Sequence, residues 1–199
     1  RHSLIAAAFA LALSAPALAQ DAGPAPESPA VETVKRTPSE MRADMLDRLF
    51  ARLHMSSATV DTSKTEQDIW DLWMASDSPT AEVLLKQGTR AMNEGAPEEA
   101  LTIFNRLIGA NPDFAEAWNK RATLYYMMGR NEDSLKDIDK VLDLEPRHFG
   151  ALSGRGMIYQ RLKKYSDARA AFEEALSMNP GMEQIKQALK SLDKLERGI

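Results

Sequence analysis

The side chains best suited to chemistry in this 199-residue sequence are few and scattered. There is no cysteine, which removes disulfides, thiolate nucleophiles and cysteine-ligated zinc. Of the three histidines, His2 falls in an N-terminal segment read below as cleaved. His54 and His148 have no second ligand at metal-binding spacing, and each reads as a surface or helix-capping residue. The triplet Gly154-Arg155-Gly156 has the look of a phosphate loop, but it lies inside a helical pattern at a packing position and reads as structural. Glu98-Glu99, Asp137/Asp139 and Glu173-Glu174 offer paired carboxylates. All three sit beside apolar positions of amphipathic helices, so they read as solvated outer faces. Trp70 and Trp73, three residues apart, read as the core of a helical hairpin rather than a ligand platform. No G-x-S-x-G, Walker-type loop or H-E-x-x-H occurs, and no nucleophile–base pair is visible. The residues therefore point to no enzyme, no metal and no cofactor.

The elements that would position any binding surface are easier to read. Hydrophobic residues make up 44% and charged residues 27%, an ordinary globular balance, and the formal net charge of −4 argues against nucleic acid as a partner. Residues 1–19 read as a secretory signal: Arg1 and His2, an apolar run from Leu4 to Leu13, then Ala17-Leu18-Ala19 as an A-x-A cleavage site before Gln20. Its removal would take the charge from −4 to −5. The run is too short for a membrane span, and no cysteine follows for a lipid anchor, so no integral membrane anchor is expected and the mature chain should be periplasmic or secreted. Residues 20–38, with Pro24, Pro26, Pro29 and Pro38, read as an extended linker. Residues 39–80 hold two helical patterns, one with Met45, Leu49, Phe50 and Leu53, the other with Ile69, Trp70 and Trp73.

Beyond residue 80 a period emerges. Asn111-Pro112, Glu145-Pro146 and Asn179-Pro180 are spaced 34 residues apart, twice over, dividing the chain into 81–114, 115–148 and 149–182. The third segment places Leu152, Gly156 and Tyr159 on one helix and Ala168, Phe172 and Ala175 on the next. The second aligns Trp118, Ala122 and Tyr125 with Ser134, Ile138 and Val141, and the first aligns Leu84, Gly88 and Ala91 with Ala100, Phe104 and Leu107. Small residues should face each other across each hairpin: Gly88 and Ala100, Ala122 and Ser134, Gly156 and Ala168. Residues 183–199 read as a capping helix with Ile185, Ala188, Leu189, Leu192 and Leu195 on one face. The hairpin at 39–80 should cap the opposite end.

Over residues 81–182 the chain resembles tetratricopeptide-repeat proteins of the exported bacterial type. The resemblance implies an all-α, right-handed superhelical solenoid of three repeats, with a degenerate N-terminal hairpin and a C-terminal capping helix. It also implies a concave groove lined by the first helix of each repeat. That groove would use Leu85, Thr89, Met92 and Asn93, then Asn119, Thr123, Tyr126 and Met127, then Ser153, Met157, Gln160 and Arg161. Such a mixture suits an adaptable peptide groove. The family's carboxylate clamp is not expected, since Leu85, Thr89, Lys120, Gly150 and Gly154 occupy its positions. The function implied is a periplasmic scaffold that holds a peptide or helix of an envelope protein partner. The alternative is a self-associating structural component of an envelope assembly, for cell-wall synthesis and division or polysaccharide export.

Overall fold

The computed structural model describes residues 36–55 and 62–196, and among these there are nine α-helices and no strand. The expected signal and most of the expected linker lie outside the described residues, as do positions 197–199. The chain divides into residues 1–35 and 36–199, and all nine helices belong to the second unit.

Three helix hairpins form the repeats: α3 (Pro79–Asn93) with α4 (Pro97–Ala110), α5 (Ala115–Met127) with α6 (Asn131–Leu144), and α7 (Phe149–Arg161) with α8 (Tyr165–Met178). Each hairpin turns on one residue in the left-handed region, Gly95 (φ +76°), Gly129 (+75°) and Lys163 (+59°), at the same 34-residue interval. The next amide closes the helix end identically in all three: Ala96 to Ala91 O (2.9 Å), Arg130 to Tyr125 O (2.8 Å) and Lys164 to Tyr159 O (2.9 Å). Between repeats, Pro112, Pro146 and Pro180 stop the second helix, and tight turns follow, with Phe114 N donating to Asn111 O and His148 N to Glu145 O.

The helix pairs approach as the small residues require, with one refinement. Ser134 donates its hydroxyl to Ala122 O at 2.7 Å, as the expected pairing implies. Gly88 and Gly156 lie against the rings of Phe104 and Phe172, where a Cβ would come within 2.5 and 2.4 Å. In the middle repeat the ring is replaced by the slimmer Ile138, and alanine fits. Arg121 makes a two-pronged pair with Asp137, both contacts at 2.8 Å. Asp137 is therefore buried rather than part of a solvated face, while its neighbour Asp139 stays exposed and meets Arg155 at 2.7 Å.

At the C-terminal end α9 (Glu183–Glu196) packs Ile185 and Leu192 against Ala168 and Phe172, as a cap should. Leu195, expected on that face, is half exposed at the helix end.

The N-terminal hairpin, α1 (Pro38–Met55) and α2 (Ser63–Met74), departs from expectation. Met74 of α2 packs against the core of the first repeat, but most of the hairpin's apolar surface is buried elsewhere. Its apolar residues Leu46, Leu49, Phe50, Leu53, Ile69 and Trp73 form one cluster with Phe149 of the third repeat, flanked by Met178 and Met182. Polar contacts trace its course from the α2–α3 link to the last turn of α8. Arg42 pairs with Asp77, Asp47 with Arg147 (2.7 Å), and the His54 ring nitrogens meet Phe50 O (2.8 Å) and Ser177 O (2.7 Å). The physical reason is aromatic surplus: Trp70, Trp73 and Phe50 present more ring surface than a two-helix unit can bury, and Phe149 with His148 receives it.

Candidate binding site

The first helices of the repeats, α3, α5 and α7, present the side chains that could meet a partner. In the first repeat the structure withdraws half of them. Leu85 and Met92 are buried in the core beside Phe104, leaving Thr89 and Asn93 to line a shallow depression with Met74 and Lys86.

The second and third repeats do better. Between α5 and α7 lies a pocket of about 240 Å³. Asn119, Thr123, Tyr126, Ser153 and Met157, all expected on the groove, line it, together with Gly150, Gly154 and Ser134. Its floor is Ala122, Ile138, Ala151 and Ile158, the buried core of the middle repeat. Met127 and Gln160 stand outside it, Met127 with 61% of its surface exposed. Arg161 does not line it either, but it adjoins a residue that does: its guanidinium stacks 3.5 Å from the centre of the Tyr126 ring. Its Nη1 donates to Tyr126 O (2.8 Å) and to Asn131 Oδ1 (3.2 Å), both neutral acceptors.

The serine and threonine hydroxyls in the wall are turned inward. Thr123 donates to Asn119 O (2.9 Å), Ser153 to Phe149 O (2.6 Å) and Ser134 to Ala122 O. With their protons committed to the backbone, these residues show the pocket mainly carbon. The chemistry on offer is apolar contact, with one cation beside Tyr126.

A buried polar cluster supports the pocket from behind, and sequence reasoning missed it. Glu116 and His148 are fully buried, with His148 Nε2 3.1 Å from Glu116 Oε2. His148 Nδ1 accepts the Ala151 amide at 3.1 Å, capping α7, so Nε2 carries the proton it donates. Asn119 Nδ2 donates to Glu116 Oε2 (3.0 Å), and Lys120 Nζ lies 3.0 Å from Oε1. Burial pushes the Glu116 carboxyl up, but the His148 hydrogen bond and the Lys120 charge outweigh it and hold the group below the usual carboxylate range. Trp73 stacks on the His148 ring at 4.1 Å and 11°. Trp70 fills the space beside Gly150, where a Cβ would lie 2.6 Å from its ring. So Trp70 of α2 backs the pocket at Gly150, the end away from Tyr126 and Met157. One signal was available: in the 34-residue register His148 occupies the place of Phe114 and Met182, a polar ring at an otherwise apolar position. Among the described residues no group of acidic and histidine side chains is arranged to hold a metal ion.

The fold and its groove define a class: a solenoid of helix hairpins in which each first helix contributes to one continuous face. Residues 113–180 and 85–133 each match a family model described as tetratricopeptide repeat. A TPR repeat-containing protein of Rhizobium etli is 33% identical over 95 residues, which are 48% of this chain and 47% of that protein. The chain thus spans about half the length of the curated relative it matches. Residues 85–180 are tetratricopeptide repeats. Solved structures agree on the fold. The first TPR domain of Spaghetti (RPAP3), bound to the HSP90 peptide SRMEEVD, superposes with a TM-score of 0.58 at 22% identity, over 61% of this chain and 96% of that one. The second TPR domain of human RPAP3, in complex with the HSP70 peptide SGPTIEEVD, gives 0.54 at 27% identity over 58% and 97%. MamA gives 0.56 at 19% over 72% and 87%.

Proposed function

We propose that this chain is an exported, non-catalytic scaffold that holds a peptide or helix of a protein partner between α5 and α7. The observation that carries the reading is the open, carbon-lined pocket on the first helices of the second and third repeats. Peptide binding by the related human RPAP3 domain supports the same use of the surface here. The occupant differs from a chaperone tail, because Leu85 is buried and Gly150 and Gly154 bring no side-chain charge to the places a carboxylate clamp would need. Export rests on the basic, apolar and A-x-A pattern of residues 1–19, and an envelope partner follows from it.

Three experiments test this. Expression of the full chain in a bacterial host, with fractionation and N-terminal sequencing, should find the periplasmic form starting at Gln20; an uncleaved cytoplasmic form would remove the export half. A photocrosslinking residue at position 157 should capture a defined partner band that the same residue at exposed position 190, on α9, does not. Tyr126→Ala combined with Met157→Ala should abolish partner recovery by the tagged chain, and equal recovery would refute the groove.

A further inference from the structure

Three glycines lie in α7, and packing accounts for two of them. A Cβ at Gly150 would strike Trp70, and one at Gly156 would strike Phe172. Gly154 is different. A Cβ there would meet only Ile138 Cδ1, at 3.5 Å, an ordinary contact. Glycine inside a helix is unfavourable relative to alanine, so an unforced one is a loss without a packing return. The register sharpens the point: the equivalent residues of the first and second repeats are Lys86 and Lys120, both long. The side chain is missing only where the pocket opens, and Gly154 is one of its walls.

We propose that Gly154 is a specificity-determining residue: its missing side chain opens a socket between α5 and α7 that takes one large apolar side chain (Leu, Ile, Met or Phe) of a protein partner, beside a partner carboxylate that meets Arg161. The inference rests on the groove reading above and names the chemistry of its ligand. An apolar anchor fits because Ala122, Ile138, Ala151 and Ile158 form the floor and the hydroxyls of Thr123, Ser134 and Ser153 are bonded to backbone carbonyls. Sugar or nucleotide hydroxyls would find none of these three hydroxyl protons free. The carboxylate follows from charge complementarity. Arg161 is held beside the pocket by the Tyr126 ring, Tyr126 O and Asn131 Oδ1, so its positive charge faces outward uncompensated by those contacts. Lys120 is already engaged with Glu116.

A phage-displayed library of random peptides, panned against the full chain, provides the probe, and fluorescence anisotropy of selected peptides provides affinities. Selected sequences should share one large apolar residue with an acidic residue close to it. Replacing that apolar residue by Ala should weaken binding about tenfold or more. Gly154→Leu, which fills the socket, should produce a loss of the same size with Tm unchanged or raised. Gly154→Ala, which adds one methyl and improves the helix, should weaken binding less and raise Tm. Arg161→Gln should weaken acidic peptides and leave their amide counterparts unaffected. Peptides that bind Gly154→Leu as well as the parent but lose binding to Tyr126→Ala with Met157→Ala would overturn the socket and leave the groove standing. A library that yields no binder, or binders indifferent to Tyr126→Ala with Met157→Ala, would overturn both.

Discussion

Gly156 brings the backbone of α7 so close to Phe172 that a Cβ would sit 2.4 Å from ring carbons Cδ1 and Cε1. Phe172 is itself fully buried and has no room to retreat. Gly156→Leu should therefore lower stability by about 3 kcal/mol or more, read from urea unfolding, and an unchanged midpoint would mean the two helices meet elsewhere. Lys163 offers the opposite case. It holds the left-handed turn that Gly95 and Gly129 hold in the other repeats, so Lys163→Gly should raise stability by about 1 kcal/mol. Glu116 gives a pH dependence. Its folded pKa is depressed below the ordinary value of 4.5, so its contribution is present above that pH and is lost as pH falls through the folded value. Unfolding midpoints of the parent should therefore fall more steeply below about pH 4.5 than those of Glu116→Gln, which keeps an acceptor for His148 and Asn119 but cannot titrate. Parallel profiles would show that the cluster is not a source of acid sensitivity.

At the scale of elements, the repeat helices were legible because their signals are local and recur: a proline, a small residue and an aromatic at one interval each mark a boundary or a contact. The same register placed Asn119, Thr123, Tyr126, Ser153 and Met157 on one face, where the pocket is. It could not foresee that Leu85 and Met92 would be taken by the first core, since a groove position and a core position differ there by the tilt of one side chain. Nor could it place the N-terminal hairpin. The contacts that seat α1 join residues 100 and 123 positions apart, Asp47 to Arg147 and His54 to Ser177, and nothing local encodes such a pairing. The hairpin's own pattern shows only that Trp70 and Trp73 need burial. Where they are buried carries an energetic prediction. Trp73→Ala removes the ring stacked on His148 and packed on Phe50 and Phe149, and should lower stability by about 3 kcal/mol or more. In hydrogen exchange, amides of α1 and α2 and of the Glu145–Phe149 turn should lose protection together. Loss confined to α1 and α2 would mean that the turn does not depend on them.

Across the whole of residues 36–196 the hairpin alters what kind of solenoid this is. Repeat arrays are close to one-dimensional: each unit touches its neighbours, and stability is a sum of unit and interface terms. Here α1 contacts Asp77, Arg147 and Ser177, tying the link before the first repeat to the ends of the second and third. An array with such a strap has contacts that close over its length, so the third repeat cannot fray without also breaking the aromatic cluster at Phe149. The parent should therefore unfold in urea as one transition, with far-ultraviolet circular dichroism and tryptophan fluorescence coinciding. Trp70→Ala with Trp73→Ala should release the strap and leave three nearest-neighbour repeats, whose transition broadens, with a smaller m value and a loss of helix that begins at lower urea. Trp118, on α5 and hydrogen-bonded to Pro112 O at 2.8 Å, remains as the fluorescent reporter of the repeats in that variant. If its transition keeps the parent's m value and stays coincident with the loss of helix, the cooperativity belongs to the repeat interfaces alone, and the hairpin is a passenger on the edge of the array.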